Sequence, residues 1–400
     1  MTQTNEKTKA DNGGAIPGYK KVVSAESLIF IVLLVAFFTF IGMRMGGINM
    51  VNTMMATAYQ LLLDTVFKIM AIAVLAGAVS GLLTEFGVVS VVNKAISPLM
   101  KPLYNLPGAS ILGVLATYFS DNPAILTLAD DTGFRRFFKK YQLPALTNIG
   151  TAFGMGMVIT AYMIGVTSPT GEDFISAALI GNLGAIVGSI VSVRIMLHFT
   201  KKVYGTEEMC ACDDVGDVDM EQYRKVRPGN VGTRMMEAML DGGKSGVSMG
   251  VAIIPGVLII CTIVMMLTNG ASADGTFTGA AYEGIALLPW LGSKIEFILT
   301  PLFGFTSAEA VAVPITALGA AGAAIGLVPK LVSQGLAGGN DIAVFTAMCM
   351  CWSGYLSTHV AMMDSLKCSH LTGKAILSHT IGGLCAGVAA HWLYVLFSMF

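Results

Sequence analysis

Ser120-Asp121-Asn122-Pro123 places a hydroxyl, a carboxylate and an amide directly before a proline, inside an apolar stretch. A carboxylate beside an amide and a hydroxyl offers hard oxygens to Na⁺, or hydrogen bonds to the hydroxyls and amines of a small solute. Proline breaks a helix, and Ser, Asp and Asn cap the ends so exposed. Two further polar groupings stand within apolar runs. Thr147–Gly156 reads TNIGTAFGMG and Cys351–His359 reads CWSGYLSTH. Glycines in such runs unwind helices and offer backbone carbonyls and half-helix ends to a ligand, although they also serve close helix packing. Asn148, Thr151, Ser353, Ser357, Thr358 and His359 are the candidate contacts there. His359 titrates near neutral pH when unperturbed, so it is a candidate proton carrier as well. Glu309 is a candidate coupling acid.

These groups need elements that hold them in a membrane. The 400 residues are 54% hydrophobic and 12% charged, with mean hydropathy +0.71. A soluble domain carries about a quarter charged residues. Leu143–Gly171, Phe174–Val193, Ser245–Ala273, Ala310–Pro329 and Ile342–Met363 are uncharged runs long enough to span a bilayer. Leu28–Met43 and Ile69–Thr84 span with help from their flanks. The fold class expected is an all-α polytopic membrane protein. Net charge of −1 gives no reason to expect a nucleic-acid partner. Cys261, Cys349, Cys351, Cys368 and Cys385 read as small packing residues. Cys210-Ala-Cys212 is too little for a zinc site. No phosphate loop, zinc motif or nucleophile elbow occurs, so the chain does not read as an enzyme.

The chain repeats itself. GAIVG at Gly184–Gly188 matches GLCAG at Gly383–Gly387, 199 residues on, and the same offset lays Pro102–Ser110 over Pro301–Glu309. A third pairing, Asp64 and Lys68 with Asp241 and Lys244, has a shorter offset. Basic residues at Lys20–Lys21, in RRFFKK (Arg135–Lys140) and between Lys201 and Lys244 belong in the cytoplasm by the positive-inside rule. Both ends of Pro107–Leu128 must then be cytoplasmic, which makes it a re-entrant hairpin turning at Ser120–Pro123. Irregular backbone at that depth is tolerated only in protein or around a cavity. The organisation expected is a polar tail (1–26), an extra helix and connection (27–60), a first repeat (61–200), a cytoplasmic loop (201–242) and an inverted second repeat (243–400). Each repeat holds an interfacial helix, a re-entrant hairpin and a broken transmembrane helix. The second hairpin is placed at Phe305–Pro329 with its tip at Ala320–Ala323, which adds Gly322 to the candidate site. The N-terminus is expected in the cytoplasm and Phe400 outside.

This order of elements resembles the nucleoside-recognition (Gate) membrane proteins, distant relatives of concentrative nucleoside transporters, over about Leu61 to Phe400. The resemblance is architectural: those transporters carry a Gly-x-Thr-Glu motif at the first hairpin tip, and here the tip is Ser120-Asp121-Asn122-Pro123. It implies a multi-pass protein of the cytoplasmic membrane that moves a small polar organic solute, a nucleoside or related metabolite, in symport with an ion. Asp121 among oxygen donors favours Na⁺; Glu309 or His359 would suit H⁺. The partners expected are the solute, the bilayer and further copies of the chain in a homo-oligomer. Export of another metabolite, or a non-transporting morphogenetic or partner role, are the alternatives.

Overall fold

The structure, a computed structural model, describes residues 22–120, 122, 124–125, 135, 137–210, 226–272 and 274–399. The regular elements among these residues are helices, joined by turns and loops, with one isolated bridge between Lys139 and Met209. Helical stretches at Ala25–Met45, Gly47–Glu85, Ala145–Ile164, Ile175–Tyr204 and Ser369–Phe397 are long and apolar enough to cross a membrane. The chain is thus a multi-pass α-helical membrane protein.

α1 (Ala25–Met45) starts at a capping box in which Ser24 and Ser27 satisfy each other's backbone N–H. It ends at Gly46, whose φ of 82° turns the chain into α2 (Gly47–Gln60). α2 runs on through a π-helical segment, Leu61–Val66, into α3 (Phe67–Glu85). A second long helix has the same form: α9 (Val231–Pro255), a π segment at Gly256–Cys261, and α10 (Thr262–Thr268). Pro255 has no N–H to give to the ladder, which suits the change of register that follows it. α9 begins within the segment 201–242 expected to be a loop, because its first turns are polar and carry no membrane signal.

The two long helices run antiparallel with their backbones in contact. A Cβ on Gly77 would lie 2.2 Å from the Gly242 carbonyl oxygen, and one on Gly81 equally close to that of Ala238. Gly77-x-x-x-Gly81 faces Gly242-x-x-x-Gly246, a pattern that lets membrane helices approach to backbone distance. A salt-bridge cluster closes one end of this pair. Glu85, at the last turn of α3, accepts from Arg227 at 2.9 Å and from Arg234 at 2.7 Å.

Between the long helices and the remaining spans lie α4 (Val88–Tyr104) and α11 (Leu287–Phe303). Both have 17 residues, and they start 199 residues apart. Both follow a residue in the left-handed region, Gly87 and Ala286, and both end at one, Asn105 and Gly304. The last carbonyls of a helix lack partners. At α4 the Arg194 guanidinium donates to Leu103 O and Pro102 O; at α11 the Asn340 amide donates to Phe303 O and Gly304 O. Different side chains meet the same need at the two helix ends.

α5 (Ser110–Phe119) enters next and the chain then reverses, because Ile125 packs back on Gly113 and against Gly150. The equivalent descent is a short 3₁₀ turn, Ala308–Val311, and α12 (Ala312–Ala317), bent by 76° from the end of α11. Leu318–Ala320 turns the chain and α13 (Ala321–Ser333) returns. The tip of this second hairpin therefore sits at 318–320. That corrects the expected 320–323 and moves Gly322 into the first turn of α13. The shift follows from composition: an alanine and glycine run has no polar residue to mark where the helix stops.

Two broken helices complete the bundle. α6 (Ala145–Thr151) and α7 (Gly156–Ile164) are parted at Ala152–Met155, and α14 (Gly339–Cys351) and α15 (Tyr355–Ser365) at Trp352–Gly354. Met155 and Gly354 both have positive φ, and they too are 199 apart. α8 (Ile175–Tyr204) and α16 (Thr372–Phe397) cross antiparallel at Gly184, Gly188 and Gly382. Gly184 lies against Ala386 and Ala390, Gly188 against Gly382 and Ala386. The pairing of Asp64 with Asp241 fails by contrast. Asp64 lies in its π segment, whereas Asp241 lies in α9 ahead of the π segment at 256–261.

Candidate functional site

The site forms where the first hairpin tip meets both breaks. Asn122 is buried, and its amide Nδ2 donates to the Ser353 carbonyl at 2.7 Å and approaches Ser353 Oγ at 3.4 Å. The opposite wall is Gly154, where a Cβ would lie 1.5 Å from Asn122 Oδ1 and 2.8 Å from Ser353 Oγ. Three elements distant in sequence thus share one point: the hairpin after α5, the α6–α7 break and the α14–α15 break. The second hairpin closes on the same break, since Gly354 N donates to Ala317 O at 3.2 Å.

Chemically, the breaks leave main-chain groups outside the helical ladder, with the last carbonyls of α6 and α14 facing the first N–H groups of α7 and α15. Such a place can hold a polar solute through amide, hydroxyl and carbonyl groups and needs no charged residue. Trp352 and Tyr355 stack beside it, with ring centroids 6.2 Å apart.

The other expected site residues distribute as follows. Asp121 lies outside the described residues. Ser120 is exposed and lines a narrow cavity with Phe119, Ala73, Gly77 and Met157, on the side facing the long helices. Thr358 is half-buried, and its Oγ1 donates to Gly354 O at 2.6 Å, so it buttresses the break from one turn below. Ser357 lies on the same helix, α15. Gly322 is buried one residue into α13. Thr151 returns its hydroxyl to Thr147 O at 2.8 Å. Asn148 and His359 belong to a second polar group, deeper along the broken helices. Glu309 is half-buried at the start of the second hairpin, nine residues and about 13 Å of helix before the tip.

That second group was only partly legible. Asn148 Nδ2 donates to Ser192 Oγ at 2.9 Å and to Ala375 O at 3.1 Å. Ser192 reaches His379 Nδ1 at 2.9 Å, and His379 Nε2 faces Cys351 O. The His359 and His379 rings lie tilted against each other, centroids 4.8 Å apart and planes at 44°, both fully buried. Sequence reasoning missed Gly154, Ser192 and His379 as members. The signal for Gly154 was its place 199 residues before Ser353; Ser192 and His379 carry none, because their partners are set by a helix crossing.

Two hairpins packed against two broken helices define the bundle. The chain is similar in fold to solved structures of the concentrative nucleoside transporter CNTnw. CNTnw in an inward-facing substrate-bound state is 14% identical, with a TM-score of 0.51 over 93% of this chain and 85% of that one. A doubly substituted variant in an outward-facing state is 15% identical, with a TM-score of 0.52 over 92% and 85%. A singly substituted variant in its third intermediate state gives 15% and 0.53 over 93% and 85%. The near-equal scores make this a likeness of fold shared by all three states. Neither a family model nor a curated protein sequence matches the chain.

Proposed function

We propose that this chain is a secondary active transporter of a small polar organic solute, a nucleoside or a related metabolite, coupled to Na⁺ or H⁺. The solute binds between the first hairpin tip and the two breaks. One observation carries the reading: the Asn122 amide occupies the Ser353 carbonyl at the break, against a glycine that leaves no room for a side chain. A hairpin that only needed capping could do so within itself. This one spends its buried amide on a carbonyl of a different broken helix, at the place where a ligand's donor would bind. The fold shared with CNTnw supports the same reading, as does an architecture in which discontinuous helices meet near the bilayer midplane. Ser353, Thr358 and the main chain of Gly154 and Gly354 are the solute contacts; Asp121, Glu309 and His359 are the candidates for coupling.

The test is uptake of labelled nucleosides and related metabolites by proteoliposomes holding the purified chain. Saturable uptake driven by an imposed Na⁺ or proton gradient is expected. Its absence over a broad metabolite panel, with correctly folded protein, would remove the proposal and leave the partner role standing.

A further inference from the structure

The hydrogen bonds around His359 and His379 fix where their hydrogens lie. A carbonyl only accepts. His379 Nε2 faces Cys351 O, so Nε2 carries the hydrogen, and Nδ1 accepts from the Ser192 hydroxyl at 2.9 Å. Ser192 in turn accepts from Asn148 Nδ2 at 2.9 Å. His379 is therefore neutral with both nitrogens engaged. In His359, Nδ1 faces Tyr355 O at 3.1 Å and carries the hydrogen. Its Nε2 is left as a bare lone pair, fully enclosed and without a hydrogen-bond partner among the described residues. A buried acceptor left unmet costs free energy, so it calls for an explanation.

We infer that His359 Nε2 is a proton-binding site whose occupancy opposes the closed arrangement of α14, α15 and the first hairpin seen here. The residue has no solvent exposure, and a proton is the ligand that a sealed lone pair can take without room being made for it. Once taken, the imidazolium finds no counter-charge among the described residues. The titratable groups facing it are His379 from α16, at 4.8 Å between centroids, and Tyr355 on its own helix at 5.8 Å. Behind His379 lies Cys351 of α14. α6 offers Thr147 and Asn148, both neutral, and His370, in the turn before α16, is directed to Tyr204 instead. Asp364, further along α15, is engaged by Ser369. A buried charge without a partner is expensive, and hydration relieves it. Hydration here requires α15 to move, and α15 begins at the Ser353–Gly354 break. Protonation and opening of the site are thus linked, and each favours the other. The inference rests on the transport reading of that break and names its coupling ion as H⁺, carried by a histidine.

The experiment uses the full chain in lipid nanodiscs between pH 8 and pH 5. Histidine-selective ¹⁵N spectra report tautomer and charge, and hydrogen exchange, corrected for its intrinsic pH dependence, reports opening of 351–355. With five histidines in the chain, single His→Gln variants of the other four assign His359 by elimination. Expected are an Nδ1–H tautomer at pH 8, an imidazolium forming on acidification, and a rise of tenfold or more in exchange at the break over the same range. His359→Gln removes the rise and His198→Gln, at an exposed position on α8, keeps it. Should His359→Gln not fold, the wild-type spectrum still decides. A neutral His359 down to pH 5, or an unchanged rise in His359→Gln, overturns the proton site. Uptake that persists in that case leaves the transport reading intact; pH-linked opening without uptake of any solute removes that reading instead.

Discussion

The amide nitrogen of Asn122 lies 2.7 Å from the carbonyl oxygen of Ser353, across 231 residues of chain, and joins a hairpin tip to a break in a helix of the other half. Removing the donor while keeping the shape isolates this bond. In Asn122→Asp a carboxylate faces the carbonyl and nothing donates to it. The expected result is a loss of at least tenfold in solute uptake, with thermal stability lowered by about 1 to 3 kcal/mol. Uptake equal to the parent's would make the contact incidental to transport.

Gly154→Ala tests the same point from the opposite wall. The new methyl would meet Asn122 Oδ1 at 1.5 Å, the end of a side chain that can swing away. Folding is expected to survive, at a cost of about 1 to 3 kcal/mol for overpacking, while uptake falls as Asn122 is displaced from Ser353. Measuring both in one preparation separates the site from the scaffold: unchanged uptake with lowered stability would assign Gly154 to packing alone.

Along the long helices a substitution has no flexible neighbour to push aside. A Cβ on Gly77 would lie 2.2 Å from the carbonyl oxygen of Gly242, and one on Gly242 2.0 Å from that of Gly77. Gly77→Val or Gly242→Val is therefore expected to destabilise the pair by about 3 kcal/mol or more, read as a lowered unfolding temperature in lipid. A shift within error would mean that the backbones are not in contact.

The loop from Asn269 to Ala286 carries a pH-dependent latch. Burial works against the charge of Glu283, but donors from Thr278, Gly279 and Ser272 outweigh it and hold the carboxyl below its ordinary range. A depressed carboxyl contributes stability that is complete above its unfolded value, about 4.3, and is lost as pH falls through the lower folded value. Hydrogen exchange in 272–283, corrected for intrinsic rates, should therefore rise only below about pH 4. Glu283→Gln should show the raised exchange already at neutral pH. The loop also holds α2, through Asn49 Nδ2 to Phe277 O at 2.7 Å and Tyr282 N to Thr57 Oγ1 at 2.9 Å.

Legibility in the sequence followed how local the cause was. Apolar runs of spanning length, the interruption at Asn122, and the glycine-rich breaks around Gly154 and Ser353 are local, and they located the elements. GAIVG and GLCAG were readable because both copies are selected for close packing, Gly184 and Gly188 against α16 and Gly383 and Gly387 against Trp352 and Met348. The second hairpin tip was misplaced by two or three residues, since nothing in Leu318–Ala323 distinguishes turn from helix. α9 was begun late because a long amphipathic helix outside the apolar core reads as a loop when only hydropathy is followed. His379 and Ser192 were invisible as site members for a different reason: their meeting depends on which helices cross and at what register.

The same crossing geometry makes a prediction about sidedness. α8 and α16 hold equivalent places, 199 residues apart, yet they pack antiparallel, Gly188 against Gly382 and Ala386. Equivalent residues in helices so related point to opposite ends of the bundle. The end of α4 and the end of α11, Asn105 and Gly304, should then face opposite sides of the membrane. Lys139 and Lys140, after the first hairpin, contact Thr206 and Glu208, just beyond the last turn of α8, and Lys201 and Lys202 stand in that turn. Basic residues gather on the cytoplasmic side. Gln142 beside them donates to Asn105 O at 2.8 Å, which sets Asn105 on that side. On the same reckoning Gly304, with His391 and Asn340 beside it, is expected outside, as is the end of α16 at Phe397. Single cysteines at Asn105 and at Gly304, in a background whose native cysteines are replaced, are to be labelled with a membrane-impermeant maleimide in right-side-out and inverted vesicles. Labelling of Asn105→Cys only in inverted vesicles and of Gly304→Cys only in right-side-out ones is expected. Both reacting from one side would mean that the two halves are parallel, and the inverted arrangement would have to be abandoned.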